Sequence, residues 1–151
     1  MPVAEAPEFR RPSASERLFN RAFGVLVGLG LGLRHNYLLE VEGRRTGRVH
    51  STPVNVLELD GKRLLVAPRG RTQWVRNAET AGAVTLKKGR RRRRFRVRVV
   101  SGADKPRILS AYLGRFRRTV QRYFPVPAGS GPTAFAEITD RYPVFELMAG
   151  E

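Results

Sequence analysis

Apolar positions between Tyr37 and Val100 change period several times, and each change falls at turn-forming residues. Alternation with period two predicts strands at Tyr37–Glu42, Val49–Leu59, Lys62–Pro68, Ala83–Lys88 and Arg92–Val100, because successive side chains of a strand face opposite ways. Asp60-Gly61 between two apolar runs is a hairpin signal, since both central positions of the tightest turns need positive φ. Thr72–Ala81 reads as a short helix set between strands. Further on, Asp104 is read as the cap of a helix that accepts Pro106 in its first turn. Ile108, Tyr112, Phe116 and Val120, joined by Leu109, Leu113 and Phe124, form its apolar stripe. A loop rich in Pro and Gly (Pro125–Pro132), a short helix (Thr133–Asp140) and a last strand (Val144–Met148) complete the pattern. Antiparallel strands joined by short turns, with helices laid against them, describe a small barrel of the α+β class.

The N-terminal third is different. Met1 to Pro12 has no periodicity and is expected to be a flexible arm, leaving 13–151 as a single domain. Ser13-x-x-Glu16 fits a capping box at the start of a helix. That helix carries the apolar run Ala22–Leu33, whose 12 residues would span about 18 Å, short of the ~30 Å core of a bilayer. Packing on the barrel and shallow contact with lipid headgroups are both open to it. The chain is therefore expected to be cytoplasmic, with contact at the inner face of the membrane as an extension.

Composition removes several chemistries. With no cysteine there is no thiolate nucleophile or disulfide, and two histidines, His35 and His50, argue against a histidine metal centre. No metal site is expected. The 29 Lys and Arg against 13 Asp and Glu give a net charge of +16, and nine of the positives lie within Lys87–Arg98. Such a chain favours anionic partners. On a strand, Arg92, Arg94, Arg96 and Arg98 share one face and Phe95, Val97 and Val99 the other, so the arginines are expected outside and the apolar three in the core. A solvated outer face and a ladder for phosphates both fit that row.

Two turns have anion-binding chemistry. Gly43-Arg44-Arg45-Thr46-Gly47 places guanidiniums and a hydroxyl beside a glycine-flanked turn, where an ordinary basic hairpin is the alternative. In Arg69-Gly70-Arg71-Thr72 a strand ends and a helix begins, so free amides and the positive end of the helix dipole point outward. Trp74 and Asn77 lie three apart on one face of that helix; Trp74 reads as core, and Asn77 as holding a neighbouring loop.

In their order and spacing, Leu38–Arg48, Ser51–Val54, Leu64–Gly70 and Gln73–Ala78 resemble the deazaflavin (coenzyme F-420)-dependent nitroreductase and quinone reductase family, from Leu38 to about Val100. The resemblance implies a split β-barrel like that of flavin-mononucleotide-binding oxidoreductases, with coenzyme F-420 (an 8-hydroxy-5-deazaflavin) as cofactor. It implies that Arg45, Thr46 and Gly47, with Arg69, Gly70, Arg71 and Thr72, face the acidic tail of the cofactor. Pro53, Val54 and Asn55, with Val66, Ala67 and Pro68, would line its ring, and Trp74 and Asn77 would support the loop. Phe135-Ala136-Glu137 stands roughly where nitro-reducing members place tyrosines, which favours a quinone-like or other unsaturated apolar acceptor over a nitro compound. Tyr123 and Tyr142 are the candidate proton donors. Two rival functions stay open: a lipid- or fatty-acid-binding protein with an altered cofactor site, and a non-specific nucleic-acid binder.

Overall fold

A computed structural model of the protein describes residues 34–149. The expected arm, capping box and apolar helix lie outside the described residues. Six strands form a closed barrel: β1 (Asn36–Glu42), β2 (Val49–Leu59), β3 (Lys62–Val66), β4 (Ala83–Lys88), β5 (Arg91–Val99) and β6 (Val144–Ala149). Their order around the barrel is β1-β2-β3-β6-β5-β4, with every neighbouring pair antiparallel. Closure leaves no strand edge unpaired along the barrel. Asp60 (φ 53°) and Gly61 (φ 74°) make the tight β2–β3 turn that their sequence announces.

Two apolar layers follow from the period of two. One fills the barrel: Leu39, Val41, Val56, Leu65, Val84, Leu86, Phe95, Phe145 and Leu147 point inward. Helix α1 (Gln73–Ala81) closes this interior with Val75 and Ala78. The other layer lies outside β2, β3 and β6, where Leu57, Leu64, Val66 and Val144 meet α2 (Lys105–Arg115) through Ile108, Leu109, Tyr112 and Leu113. Each fully buried side chain of this size stabilises the fold by about 1.5–3 kcal/mol relative to exposure.

Three expectations are corrected. The helix after β5 does not run unbroken to Phe124. It ends at Arg115, where Phe116 leaves helical geometry (φ −112°, ψ 27°), and resumes as the single turn α3 (Arg117–Val120) and a 3-10 turn at Gln121–Tyr123. Val120 and Phe124 still reach the outer layer, so the apolar stripe survives the break. Asp104 does not cap α2 with its side chain; it is the last residue of a 3-10 turn, Gly102–Asp104, that leads into the helix. Thr133–Asp140 is not a helix but two 3-10 turns, Pro132–Phe135 and Thr139–Arg141, anchored by the buried Phe135 and Ile138.

The arginine row obeys the alternation only in part. Arg92, Arg94, Arg96 and Arg98 are exposed, Phe95 is buried and Val97 half-buried. Val99, expected in the core, is 62% exposed although its register partner on β6, Phe145, is buried. Arg93 shares the Phe95 side and lies over its ring at 5.0 Å.

Candidate functional site

The β1–β2 turn and the start of α1 come together. Both glycines of Gly43–Gly47 are required, for different reasons. Gly47 has φ +73°, while at Gly43 a Cβ would sit 2.9 Å from His50 Nε2 and 3.1 Å from the Arg48 carbonyl. Gly43 thus serves close packing rather than positive φ. The turn is closed by Gly43 N–H donating to Arg48 O at 2.7 Å and Gly47 N–H to Gly43 O at 2.9 Å. Thr46 Oγ1 accepts from the Arg48 amide at 3.2 Å, and Arg45 is exposed.

Asn77 fastens this turn to α1. Its buried Oδ1 accepts the Arg44 backbone N–H at 3.1 Å and Arg44 Nη1 at 2.8 Å. The same Nη1 donates to Gln73 Oε1 at 2.8 Å. One guanidinium therefore joins the turn to the first and second turns of α1, the helix that the Arg69–Thr72 loop leads into. Trp74 lies beneath, half-buried, its ring 5.9 Å from that of Phe145.

The loop before α1 is tightly wound. Gly70, buried at φ +85°, donates its N–H to Ala67 O at 3.1 Å, and Thr72 N–H donates to Gly70 O at 2.9 Å. Thr72 is the N-cap residue, yet its side chain makes no capping bond. Its Oγ1 is the buried side-chain oxygen without a hydrogen-bond partner among the described residues. The first amides of α1 have no carbonyl one turn back to accept them. Arg71 is exposed and its Nε donates to Glu79 at 2.8 Å, so an incoming anion would compete with an exposed ion pair of small worth. A buried orphan hydroxyl and helix-start amides are donors with the chemistry of a phosphate or carboxylate site; the exposed Arg71 is next to Thr72 in sequence, and the exposed Arg45 is next to Arg44.

Other sequence candidates are placed elsewhere. Pro53, Val54 and Asn55 alternate faces, so they do not line one surface together: Val54 packs toward the barrel interior, while Asn55 faces outward. Asn55 Nδ2 donates to Thr119 Oγ1 at 3.3 Å and its Oδ1 accepts from Asn36. Ala67 is buried against the interior layer and Pro68 is half-buried beside it. Tyr142 is 0% exposed, stacked on Phe124 at 4.4 Å, and its hydroxyl donates to the Tyr123 carbonyl at 2.6 Å. Burial pushes that hydroxyl up to about 12. Among the described residues this hydroxyl is enclosed and already bonded to a carbonyl, an arrangement that does not favour proton donation to a substrate. Tyr123 is half-buried in the outer layer, with Arg122 over its ring at 4.8 Å and bonded to its hydroxyl.

A cavity of about 430 Å³ borders the β1–β2 turn, lined by Glu40, Glu42, Arg44, Thr80, Thr85 and Arg94 among others. It shares Gly43 and Arg44 with the turn but not the Arg69–Thr72 loop. Sequence reading missed Arg44 as the link; only its side-chain bonds to residues 29 and 33 positions away identify it. Among the described residues, no group of His, Asp and Glu could hold a metal, and no helix is long and apolar enough to cross a membrane.

Comparison with solved structures places the barrel among split-barrel proteins of the flavin-mononucleotide-binding type. An F420-H2 dependent reductase (FDR-A) superposes with a TM-score of 0.50 at 17% identity, covering 76% of this chain and 94% of that one. The protein Rv2991 of Mycobacterium tuberculosis gives 0.55 at 14% identity, covering 78% of this chain and 74% of its own. The protein Atu2129 of Agrobacterium tumefaciens gives 0.52 at 18%, covering 78% of this chain and 49% of its own, so the present chain spans about half that protein's length. These likenesses carry the fold. None of the curated proteins compared matches the chain. The sequence model of the F420H(2)-dependent quinone reductase family matches residues 15–123, well over half of the chain and the part that contains both turns and α1. The chain belongs to the F420H(2)-dependent quinone reductase family and is an oxidoreductase that depends on coenzyme F-420.

Proposed function

We propose that the protein reduces a quinone-like or other unsaturated apolar acceptor, with the acidic tail of coenzyme F-420 held where the β1–β2 turn meets the start of α1. One observation carries the placement: Asn77 and Gln73 hold Arg44, and with it the turn, against a helix start that has an unpartnered buried hydroxyl at Thr72. Arg45, Thr46 and Gly47 on one side, and Arg69, Gly70, Arg71 and Thr72 on the other, are the residues that would hold the tail. The half-buried Val54 and Pro68, backed by the buried Ala67, offer apolar surface for the ring. When bound, the reduced cofactor supplies a hydride equivalent. The protein contributes position, a positive field for the tail, and apolar surface that keeps water from the ring. A quinone also takes up one proton, and with Tyr142 enclosed that proton is assigned to solvent.

An apolar acceptor of this kind is held in membranes, and peripheral contact with a membrane belongs to the same proposal. The test is turnover. Purified protein with reduced coenzyme F-420 should regenerate cofactor fluorescence when a short-chain naphthoquinone is added, and much more slowly with a nitroimidazole. Equal rates with both acceptors, or none with any quinone, would overturn the assignment of the acceptor.

A further inference from the structure

The described residues begin at Arg34, and cationic side chains lie near that point on β4, the β4–β5 turn, α2 and α3. On β4, Lys88 Nζ donates to the Arg34 carbonyl at 2.9 Å and lies 4.9 Å from the Tyr37 ring. The β4–β5 turn that follows Lys88 presents Arg90 and Arg91 to solvent. At the end of α2, Arg115 contacts His35 Nε2, and the Phe116 ring meets the His35 ring edge-on at 5.9 Å. Exposed Arg117 and Arg118 come next, at the start of α3. The His35 carbonyl accepts from the Val56 amide at 2.9 Å, so the head of β1 is fixed within this ring of charge. Its imidazole is held below its ordinary pKa by burial and by the positive charges of Arg115, Arg34 and Lys88, against Glu58 acting the other way.

We propose that this collar, formed by Arg34, Arg90, Arg91, Arg115, Arg117 and Arg118, docks on the anionic headgroups of a lipid bilayer. Charge complementarity is the first argument, since guanidiniums bind phosphate in two-pronged geometry. The second is position. In the sequence Arg34, one member of the collar, follows directly on the apolar run Ala22–Leu33, and an apolar segment joined to a polybasic patch is a two-part membrane anchor. A nucleic acid is the weaker match because the rings at the collar, Tyr37 and Phe116, are engaged by Lys88 and His35 rather than offered to bases. The inference deepens the membrane contact proposed above and names the face that makes it.

Cosedimentation of the full chain with vesicles tests it, using phosphatidylglycerol–phosphatidylcholine mixtures against pure phosphatidylcholine. Binding to the anionic vesicles should fall steeply with salt, and the double variant Arg90→Glu/Arg91→Glu should weaken it about tenfold or more. The double variant Arg94→Glu/Arg96→Glu, which removes the same charge from the barrel wall, should have much less effect. Equal loss in both variants would mean diffuse charge rather than a collar and would overturn the proposal. So would equal binding to both vesicle types, or displacement of the protein from vesicles by stoichiometric duplex DNA. Turnover of a water-soluble quinone without vesicles is a separate readout, so failure of the collar and failure of the reductase assignment are distinguishable.

Discussion

Asn77→Ala isolates the contact on which the site depends. Asn77 is 4% exposed and its single oxygen accepts two bonds from Arg44, one from the backbone and one from the guanidinium. Leaving the half-buried Arg44 backbone donor unpaired costs about 1–3 kcal/mol. The guanidinium keeps Gln73 Oε1 and can recover water, so its loss adds little. The expected total is about 2–3 kcal/mol, which for a domain of this size lowers Tm by roughly 5–10 °C. Urea unfolding with circular dichroism gives the energy, and fluorescence titration with oxidised coenzyme F-420 gives the affinity. Gln73→Ala is the control, because its exposed contact should be worth about 0.5 kcal/mol or less. Affinity for the cofactor should fall about tenfold in Asn77→Ala under conditions where the variant is folded. The reasoning fails if Asn77→Ala is no less stable than Gln73→Ala, or if a loosened turn binds the cofactor as well as the parent.

Thr72→Val removes the orphan hydroxyl while keeping shape; the apo protein should be unchanged or about 1 kcal/mol more stable, yet bind the cofactor more weakly. A loss of both would show that the hydroxyl has a partner within the apo fold. Tyr142→Phe should cost about 1 kcal/mol for the lost bond to the Tyr123 carbonyl and leave turnover unaltered; a large fall in turnover would restore its catalytic role. Burial raises the Tyr142 hydroxyl from 10.0 to about 12 and raises Tyr112 as well. Above pH ~10 the unfolded chain therefore loses protons that the fold retains, and stability should fall as pH rises from there toward 12. Denaturation midpoints across that range should show a shallower slope in Tyr142→Phe. His35 acts in the opposite direction: its pKa is lowered by burial and by Arg115 and Arg34, so stability present above pH ~6.5 should decline on acidification. Arg115→Gln should soften that decline, measured as midpoints between neutral and mildly acidic buffer.

The barrel was legible wherever local rules decide conformation. Asp60-Gly61 can only be a tight turn, and the period of two in β2 and β4 fixed strands whose ends match the structure. Where tertiary packing decides, the sequence said less. The stripe through Phe124 has helical spacing, but a single residue at Phe116 breaks the helix without moving Val120 or Phe124 out of the core. Val99 alternates like Phe95 and Val97 and pairs with the buried Phe145, yet is exposed, which the period of two alone does not foretell. In the site, the glycines and arginines of each turn were visible because turn chemistry is local. The Arg44–Asn77 bond was not, since no pattern in a single chain couples two positions 33 residues apart. The burial of Tyr142 was hidden for the same reason: no local mark in the sequence says that its hydroxyl is enclosed.

The central claim is that coenzyme F-420 is held where the β1–β2 turn meets α1. Its most direct test is a fluorescence titration of the oxidised coenzyme at low and moderate salt, comparing the parent chain with Arg45→Ala and Thr72→Val. The account predicts saturable binding, weaker at higher salt, and reduced about tenfold in Arg45→Ala, with a clear loss in Thr72→Val. Binding that neither substitution alters, or no binding even at low salt, would contradict it.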